Sequence, residues 1–189
     1  GNMRDLEVFD NNNNWFALGE PILMPLGDLD IVLMRKDPPF DSAFLHSTFI
    51  LEAAAEQGAL VVNDPKSLRD CNEKLFATQF PQCCPPLRVS SNSSRLRAFY
   101  QQHQDVIFKP LDGMGGSGIF RCKPEDPNIG VILETLTKHG QQFIMAQKFI
   151  PDLKNGDKRI LVDNGKTIPY ALTRVHSQAE TRDTLPPGG

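Results

Sequence analysis

Val106-Ile107-Phe108-Lys109-Pro110-Leu111-Asp112-Gly113-Met114-Gly115-Gly116-Ser117-Gly118-Ile119-Phe120-Arg121 reads as strand, glycine-rich turn, strand. Val106 to Phe108 is a short β-branched and aromatic run. Four glycines then fall within six positions, 113–118, and let the backbone take positive φ and approach a ligand closely. Ile119 to Arg121 resumes an extended run, which Pro124 limits. No room is left for a helix directly after the glycines. That excludes a Walker loop and a dinucleotide-binding turn, because both place phosphate at a helix N-terminus. Two readings remain: an ordinary glycine-rich hairpin, or a flap whose free N–H groups lie over a polyphosphate with a lysine at its base. Lys109, beside the glycines, favours the second.

Outward from the flap, Leu87-Arg88-Val89 is a short strand, and a helix runs from Ser94 to about His103 with Leu96, Phe99 and Tyr100 inward. Asp126-Pro127 starts another helix by capping aspartate and first-position proline. Ile129, Ile132, Leu133 and Leu136 follow at i, i+3, i+4 and i+7, and Gly140 ends it. Phe143 to Ile150 is a strand running into a connector. Residues 86–146 thus spell β-α-β-β-α-β, a split α/β sandwich. Gln147, Lys148, Phe149 and Ile150 form either a plain linker or a hinge where a base can lie against backbone groups. Asn164-Gly165 between apolar runs is a strong hairpin signal. Arg159 and Arg174 lie toward opposite ends of that hairpin, so pairing is expected to bring them side by side, as an anion site or as solvated edge charges.

Before the flap, residues 1–28 carry little signal beyond a loop at Asn11 to Asn14. Asp30 to Met34 is a continuous apolar run, the mark of a buried parallel strand. It delivers Arg35 and Asp37 at its carboxyl end, where open α/β sheets bind ligands; a solvated charged loop is the plainer alternative. Asp41 or Ser42 caps a helix to about Gln57, with Leu45, Phe49 and Ala53 repeating at i+4. Ala59 to Asn63 is a second strand, completing β-α-β. Ser67 caps a further helix carrying Leu68, Cys71 and Leu75. Pro81, Pro85 and Pro86 mark a boundary.

The bulk numbers exclude several classes. The chain has 189 residues, 40% hydrophobic and 23% charged, with a formal net charge of −3; nothing points to nucleic acid. No apolar run is long enough for a membrane span. Cys71, Cys83, Cys84 and Cys122 lack paired metal spacing, so reduced thiols are expected. The four histidines form no cluster, and His139 in a last helical turn is explained by the helix dipole. The termini read as those of a fragment.

In combination, Arg35-Lys36-Asp37-Pro38-Pro39-Phe40, Asp70-Cys71-Asn72-Glu73-Lys74-Leu75, Lys109 to Gly116, Met145-Ala146-Gln147 and Gly156-Asp157-Lys158-Arg159 resemble bacterial glutathione synthetases, ATP-grasp carboxylate–amine ligases. The likeness runs from about residue 15 to the end. It implies an α/β (α+β) ATP-grasp fold preceded by a Rossmann-like parallel-sheet domain, here a fragment lacking the N-terminal start and the C-terminal metal-binding part. The implied divisions are the remainder of a substrate domain at 1–73, a lid subdomain at 74–150, and the start of a C-terminal subdomain with a mobile loop at 151–189.

The resemblance also implies roles. Lys74 and Lys109 contact phosphate oxygens, and Gly113, Met114, Gly115, Gly116 and Ser117 close over them. Gln147, Lys148, Phe149 and Ile150 take the adenine, and Asp157 joins the nucleotide set. Arg159 and Arg174 neutralise charge at an acyl phosphate. Arg35 and Asp37 belong to the dipeptide pocket, and Arg182 to the loop that shields the intermediate. Implied partners are ATP, γ-glutamylcysteine and glycine, in a cytoplasmic homo-oligomer (a tetramer) with no nucleic acid and no membrane. Mg²⁺ or Mn²⁺ is expected, with ligands beyond Gly189, so the fragment alone is expected to be inactive. Another ATP-grasp ligase, or a nucleotide-binding module without chemistry, remains the alternative.

Overall fold

The computed structural model describes residues 1–36, 39–113 and 115–174, the last without its side chain. The chain divides into two compact units, Gly1–Asn72 and Glu73–Gly189.

The first unit opens with a ribbon that the sequence reading missed. β1 (Asn2–Met3) pairs with β4 (Ile22–Leu23), and β2 (Leu6–Val8) with β3 (Phe16–Leu18), all antiparallel. The asparagine run is its tip, where Asn13 N–H donates to Asn11 Oδ1 at 3.0 Å. The β-α-β unit follows as expected. β5 (Ile31–Leu33) runs parallel to β6 (Leu60–Val62), joined through α1 (Ser42–Glu56). Asp41 caps α1 by accepting from Phe44 N–H at 2.8 Å, and Gly58 follows the helix at φ +118°.

The buried residues of α1 are Phe44, Thr48 and Ala54, each a sequence neighbour of one of the expected Leu45, Phe49 and Ala53. Phe49 lies outward beneath the Arg69 guanidinium, 4.3 Å from its ring centre. Buried Thr48 satisfies its hydroxyl by donating to Leu45 O at 2.7 Å and accepting from Arg69 at 3.2 Å. β5 and β6 are less covered than a continuous apolar run implies, since Ile31, Leu33 and Leu60 are more than half exposed.

α2 is Pro65–Asp70, shorter than predicted and capped by Asp64 in place of Ser67. Asp64 Oδ1 accepts from Ser67 N–H at 2.7 Å, which holds the carboxyl below its usual pKa. Pro65 takes the first helical position, and Leu75 falls beyond the end.

In the second unit the β-α-β-β-α-β order is present. It comprises β7 (Leu87–Ser90), α3 (Ser93–His103), β8 (Val106–Pro110), β9 (Phe120–Cys122), α4 (Ile129–Thr137) and β10 (Ile144–Lys148). The sheet order is β7-β10-β8-β9, antiparallel throughout. Asn92 caps α3, accepting from Arg95 N–H at 3.0 Å.

α4 starts two residues later than Asp126-Pro127 predicts. Asp126 Oδ1 accepts from Asn128 N–H at 2.9 Å, so its carboxylate closes a turn ahead of the helix. His139 lies past the last turn of α4, at φ +56°. The core is formed by Leu96, Phe99 and Tyr100 of α3, Ile129 and Leu133 of α4, and Val106, Phe108, Cys122, Ile144 and Ala146 of the sheet. Tyr100 ties these layers together, donating to Lys123 O at 2.5 Å and accepting from Asp126 N–H at 3.0 Å. The unit ends in the predicted hairpin, β11 (Asp157–Asp163) with β12 (Lys166–Arg174). Asn164 and Gly165 turn it at φ +47° and +75°.

Candidate functional site

The parity of the four-stranded sheet separates core from site. Residues opposite one another across a ladder share a face. Ile144, Ala146, Phe108, Val106 and Cys122 therefore point together toward α3 and α4, as their burial shows. The intervening residues define the other face: Leu87 and Val89 of β7, Met145 and Gln147 of β10, Ile107 and Lys109 of β8, and Arg121 of β9. Neither α3 nor α4 covers this face. Val89, Met145 and Lys109 form one row across it, and Leu87, Gln147, Ile107 and Arg121 the other; Met145 is buried and the rest are half-buried.

At one end Lys109 Nζ donates to Gln147 Oε1 at 2.8 Å. Sequence reading places Gln147 with the base, whereas here its side chain holds the phosphate candidate. Beyond Lys109 the chain turns through the glycine loop. Gly115, Gly116 and Gly118 have φ of +60°, +75° and +71°, which is why residues with side chains are disfavoured there. A Cβ on Gly113 would lie 2.8 Å from Pro110 Cγ. Lys74 reaches into the same loop, donating to Gly113 O and, at 3.5 Å, to Leu111 O. Lys74 thus holds the loop that follows Lys109 in the chain, and the loop then enters β9 with no intervening helix.

At the other end lies the hinge. Lys148 N–H donates to Pro86 O and Phe149 N–H to Asp105 O, both at 2.9 Å. Both donors are therefore used within the protein, which narrows the expected base contacts to the carbonyls and to Ile150. Ile150 N–H has no acceptor among the described residues. Arg121 grips Asp105 with two bonds, Nε to Oδ1 at 2.9 Å and a terminal nitrogen to Oδ2 at 2.7 Å. Its guanidinium carbon stands 3.4 Å from the centre of the Phe149 ring. The bonds to Asp105 raise the guanidinium pKa further. Sequence reasoning missed Asp105 and Arg121, although the alternation of β9 with β8 was the available signal.

The hairpin register corrects one expectation. Arg174 is opposite Asp157, and Arg159 is opposite Leu172. The two arginines are diagonal by two residues because Arg174 lies farther from the Asn164-Gly165 turn than Arg159 does; the register shift between Ile160 and Val162 takes up only part of that difference. Arg159 lines an apolar hollow of about 510 Å³ with Leu161, Ile168, Tyr170 and Leu172. In the first unit, Arg35 and Lys36 border a hollow of about 380 Å³ at the carboxyl end of β5, with Val32, Ser47 and Ile50. Asp37, Met114, Arg182 and the Arg174 side chain lie outside the described residues.

Among the described residues no three His, Cys, Asp or Glu side chains gather as a metal site. The described residues therefore hold no ligand set for the divalent ion, whose ligands the resemblance places beyond Gly189. No helix among them is long and apolar enough to cross a membrane.

Comparison with known proteins agrees across both units. Residues 1–69 match the family described as prokaryotic glutathione synthetase, N-terminal domain, and residues 73–189 its ATP-grasp domain. The chain is 58% identical to glutathione synthetase of Pseudomonas aeruginosa over 189 residues, covering 100% of this chain and 60% of the relative. It is 55% identical to that of Shewanella oneidensis, with the same coverage. The chain therefore spans about 60% of the length of these relatives. In fold it is similar to a RimK domain ATP-grasp protein from Sphaerobacter thermophilus, with a TM-score of 0.60 at 19% identity over 86% of this chain and 61% of that one.

Proposed function

We propose, from the premise that this chain belongs to the prokaryotic glutathione synthetase family, that the whole protein joins γ-glutamylcysteine to glycine at the expense of ATP. The observation that carries the reading is the sheet face turned away from α3 and α4, with the Lys109–Gln147 pair beside a glycine loop that Lys74 engages.

A carboxylate is a poor electrophile because its oxygen is a poor leaving group. In the proposed reaction, a carboxylate oxygen of the cysteinyl residue attacks the γ-phosphorus of ATP, and the bond to the β–γ bridging oxygen breaks. ADP leaves, and an acyl phosphate forms. The glycine amine then adds to the acyl carbon, loses its proton, and expels inorganic phosphate as the amide forms.

Lys74 and Lys109 bind phosphate oxygens, and Gly113 to Ser117 present backbone N–H groups to them. The hinge at Gln147 to Ile150 receives the base, with Asp157 nearby in the chain. Arg159 and Arg174 neutralise charge on the acyl phosphate, and Arg182 helps exclude water from it. Arg35 and Asp37 hold the dipeptide. The divisions 1–73, 74–150 and 151–189 are proposed as substrate domain, lid and the start of the catalytic subdomain. A divalent cation, Mg²⁺ or Mn²⁺, and a cytoplasmic homo-oligomer complete the reading.

The test is turnover by the whole protein. Phosphate release is expected only when ATP, γ-glutamylcysteine and glycine are all present, with glutathione as the other product. With hydroxylamine in place of glycine, a hydroxamate of γ-glutamylcysteine is expected. Turnover with a different dipeptide in preference to γ-glutamylcysteine would overturn the substrate assignment.

A further inference from the structure

We propose that Arg121 is a positioning residue for the nucleotide base: it clamps Phe149 against Asp105 and so sets the hinge on which the base rests. The inference depends on the nucleotide-binding reading above and adds a residue to it.

Three observations converge. First, Asp105 is engaged twice by the same neighbourhood. Its carboxylate takes both bonds from Arg121, and its carbonyl takes the Phe149 N–H. One residue therefore joins β9 to the hinge. Second, the guanidinium lies over the Phe149 ring at 3.4 Å, so the ring is fixed by a plane as well as by its backbone. Third, the cluster is on the sheet face opposite α3 and α4, where Arg121 is in register with Ile107, and not in the core that packs on those helices.

The Arg121 and Asp105 side chains are 24% and 34% exposed, and a two-bonded arginine–carboxylate pair at that exposure contributes to stability. Its geometric effect is separate and can be tested apart from it. A planar, two-toothed contact restricts both partners to one orientation. Phe149 stands between Lys148, whose N–H is held by Pro86, and Ile150, whose N–H has no acceptor among the described residues. Fixing the ring fixes the direction in which Ile150 presents that donor. Arg121 itself need not touch the base.

The experiment separates base from phosphate. Binding of ATP and of inorganic tripolyphosphate to the whole protein is measured by calorimetry for wild type, Arg121→Ala, Arg121→Lys, Phe149→Ala and the Arg121→Ala/Phe149→Ala double variant. Arg121→Ala is expected to weaken ATP by about tenfold and to leave tripolyphosphate unchanged. Arg121→Lys keeps the charge but loses the fork and plane, and is expected to weaken ATP in the same selective way. The double variant is expected to bind ATP no worse than Phe149→Ala, because the arginine acts through the ring.

Unchanged ATP affinity in Arg121→Ala overturns the inference. So does an equal loss for ATP and tripolyphosphate, which a general folding defect would give, or additive losses in the double variant. If Arg121→Ala does not fold, Arg121→Lys decides by the same comparison. A wild-type protein that binds tripolyphosphate but not ATP overturns the base site itself, and the inference with it.

Discussion

Replacing Gln147 by alanine probes the most specific contact on the sheet face opposite α3 and α4. Gln147 Oε1 accepts from Lys109 Nζ at 2.8 Å, and both residues are half-buried. Hydrogen bonds to charged groups contribute about 1.5–3 kcal/mol. Two features place this one at the lower end: the partial exposure, and the further interaction that Lys109 makes. A loss of about 1.5 kcal/mol corresponds to about a tenfold change in affinity.

The ammonium has three donors, so Gln147 can hold the lysine's direction while phosphate is bound. Its removal is therefore expected to weaken ATP and tripolyphosphate alike, by about tenfold each. Gln147→Glu goes further, because the carboxylate both pairs with Lys109 and repels phosphate. Calorimetry of the whole protein at fixed ionic strength reads both ligands. If Gln147→Ala weakens ATP and leaves tripolyphosphate untouched, Gln147 serves the base and not the lysine, and the reasoning fails.

Further expectations concern the lysine, the loop, the core and the thiols. Lys109→Ala is expected to weaken ATP by about 2–3 kcal/mol, and unchanged calorimetric affinity would refute its phosphate role. Gly118→Ala forces a side chain to φ +71° with its Cβ 3.3 Å from Pro110 Cγ. It should cost about 1–2 kcal/mol and lower the melting temperature more than Gly115→Ala, whose Cβ meets nothing within 4 Å. Leu133→Ala, at a fully buried position, should destabilise by about 2–5 kcal/mol in denaturant titration.

Burial pushes the Cys122 thiol from 9.0 to about 11. A pKa raised on folding means that the contribution is intact below pH 9.0 and lost as pH rises toward about 11. Stability should therefore fall across that window, and the fall should shrink in Cys122→Val. Native thiol labelling should reach the exposed Cys71 and Cys83 while sparing buried Cys122.

How far the fold could be read from the residues depended on whether its signals were local. Asn164-Gly165 declares its turn because two adjacent positive φ values are needed there, and few dipeptides supply them. The strand–glycine–strand passage from Val106 to Cys122 was legible for the same reason. Helix starts were less so, since Asp64, Ser67, Asp126 and Asn128 are all competent caps and only geometry selects among them. The N-terminal ribbon escaped notice because its strands span two or three residues each and pair across an asparagine run.

Within the site, Lys109 and the glycines announced themselves, and Lys74 entered through the family resemblance. Arg121 and Asp105 are 16 residues apart, and nothing local links them. The offset of Arg159 and Arg174 follows from their unequal distances from the turn, while its narrowing to two residues rests on a register shift inside the hairpin, which composition does not encode.

In β8, Val106 and Phe108 serve the interior while Ile107 and Lys109 lie on the opposite face. The strand should therefore tolerate a change of side chain far better than a change of length. Deleting Val106 or Ile107, ahead of Lys109, would turn the ammonium into the hydrocarbon layer and move the Phe108 ring to the opposite face. Variation among natural relatives should accordingly consist of substitutions in this segment, with gaps confined to the connections on either side.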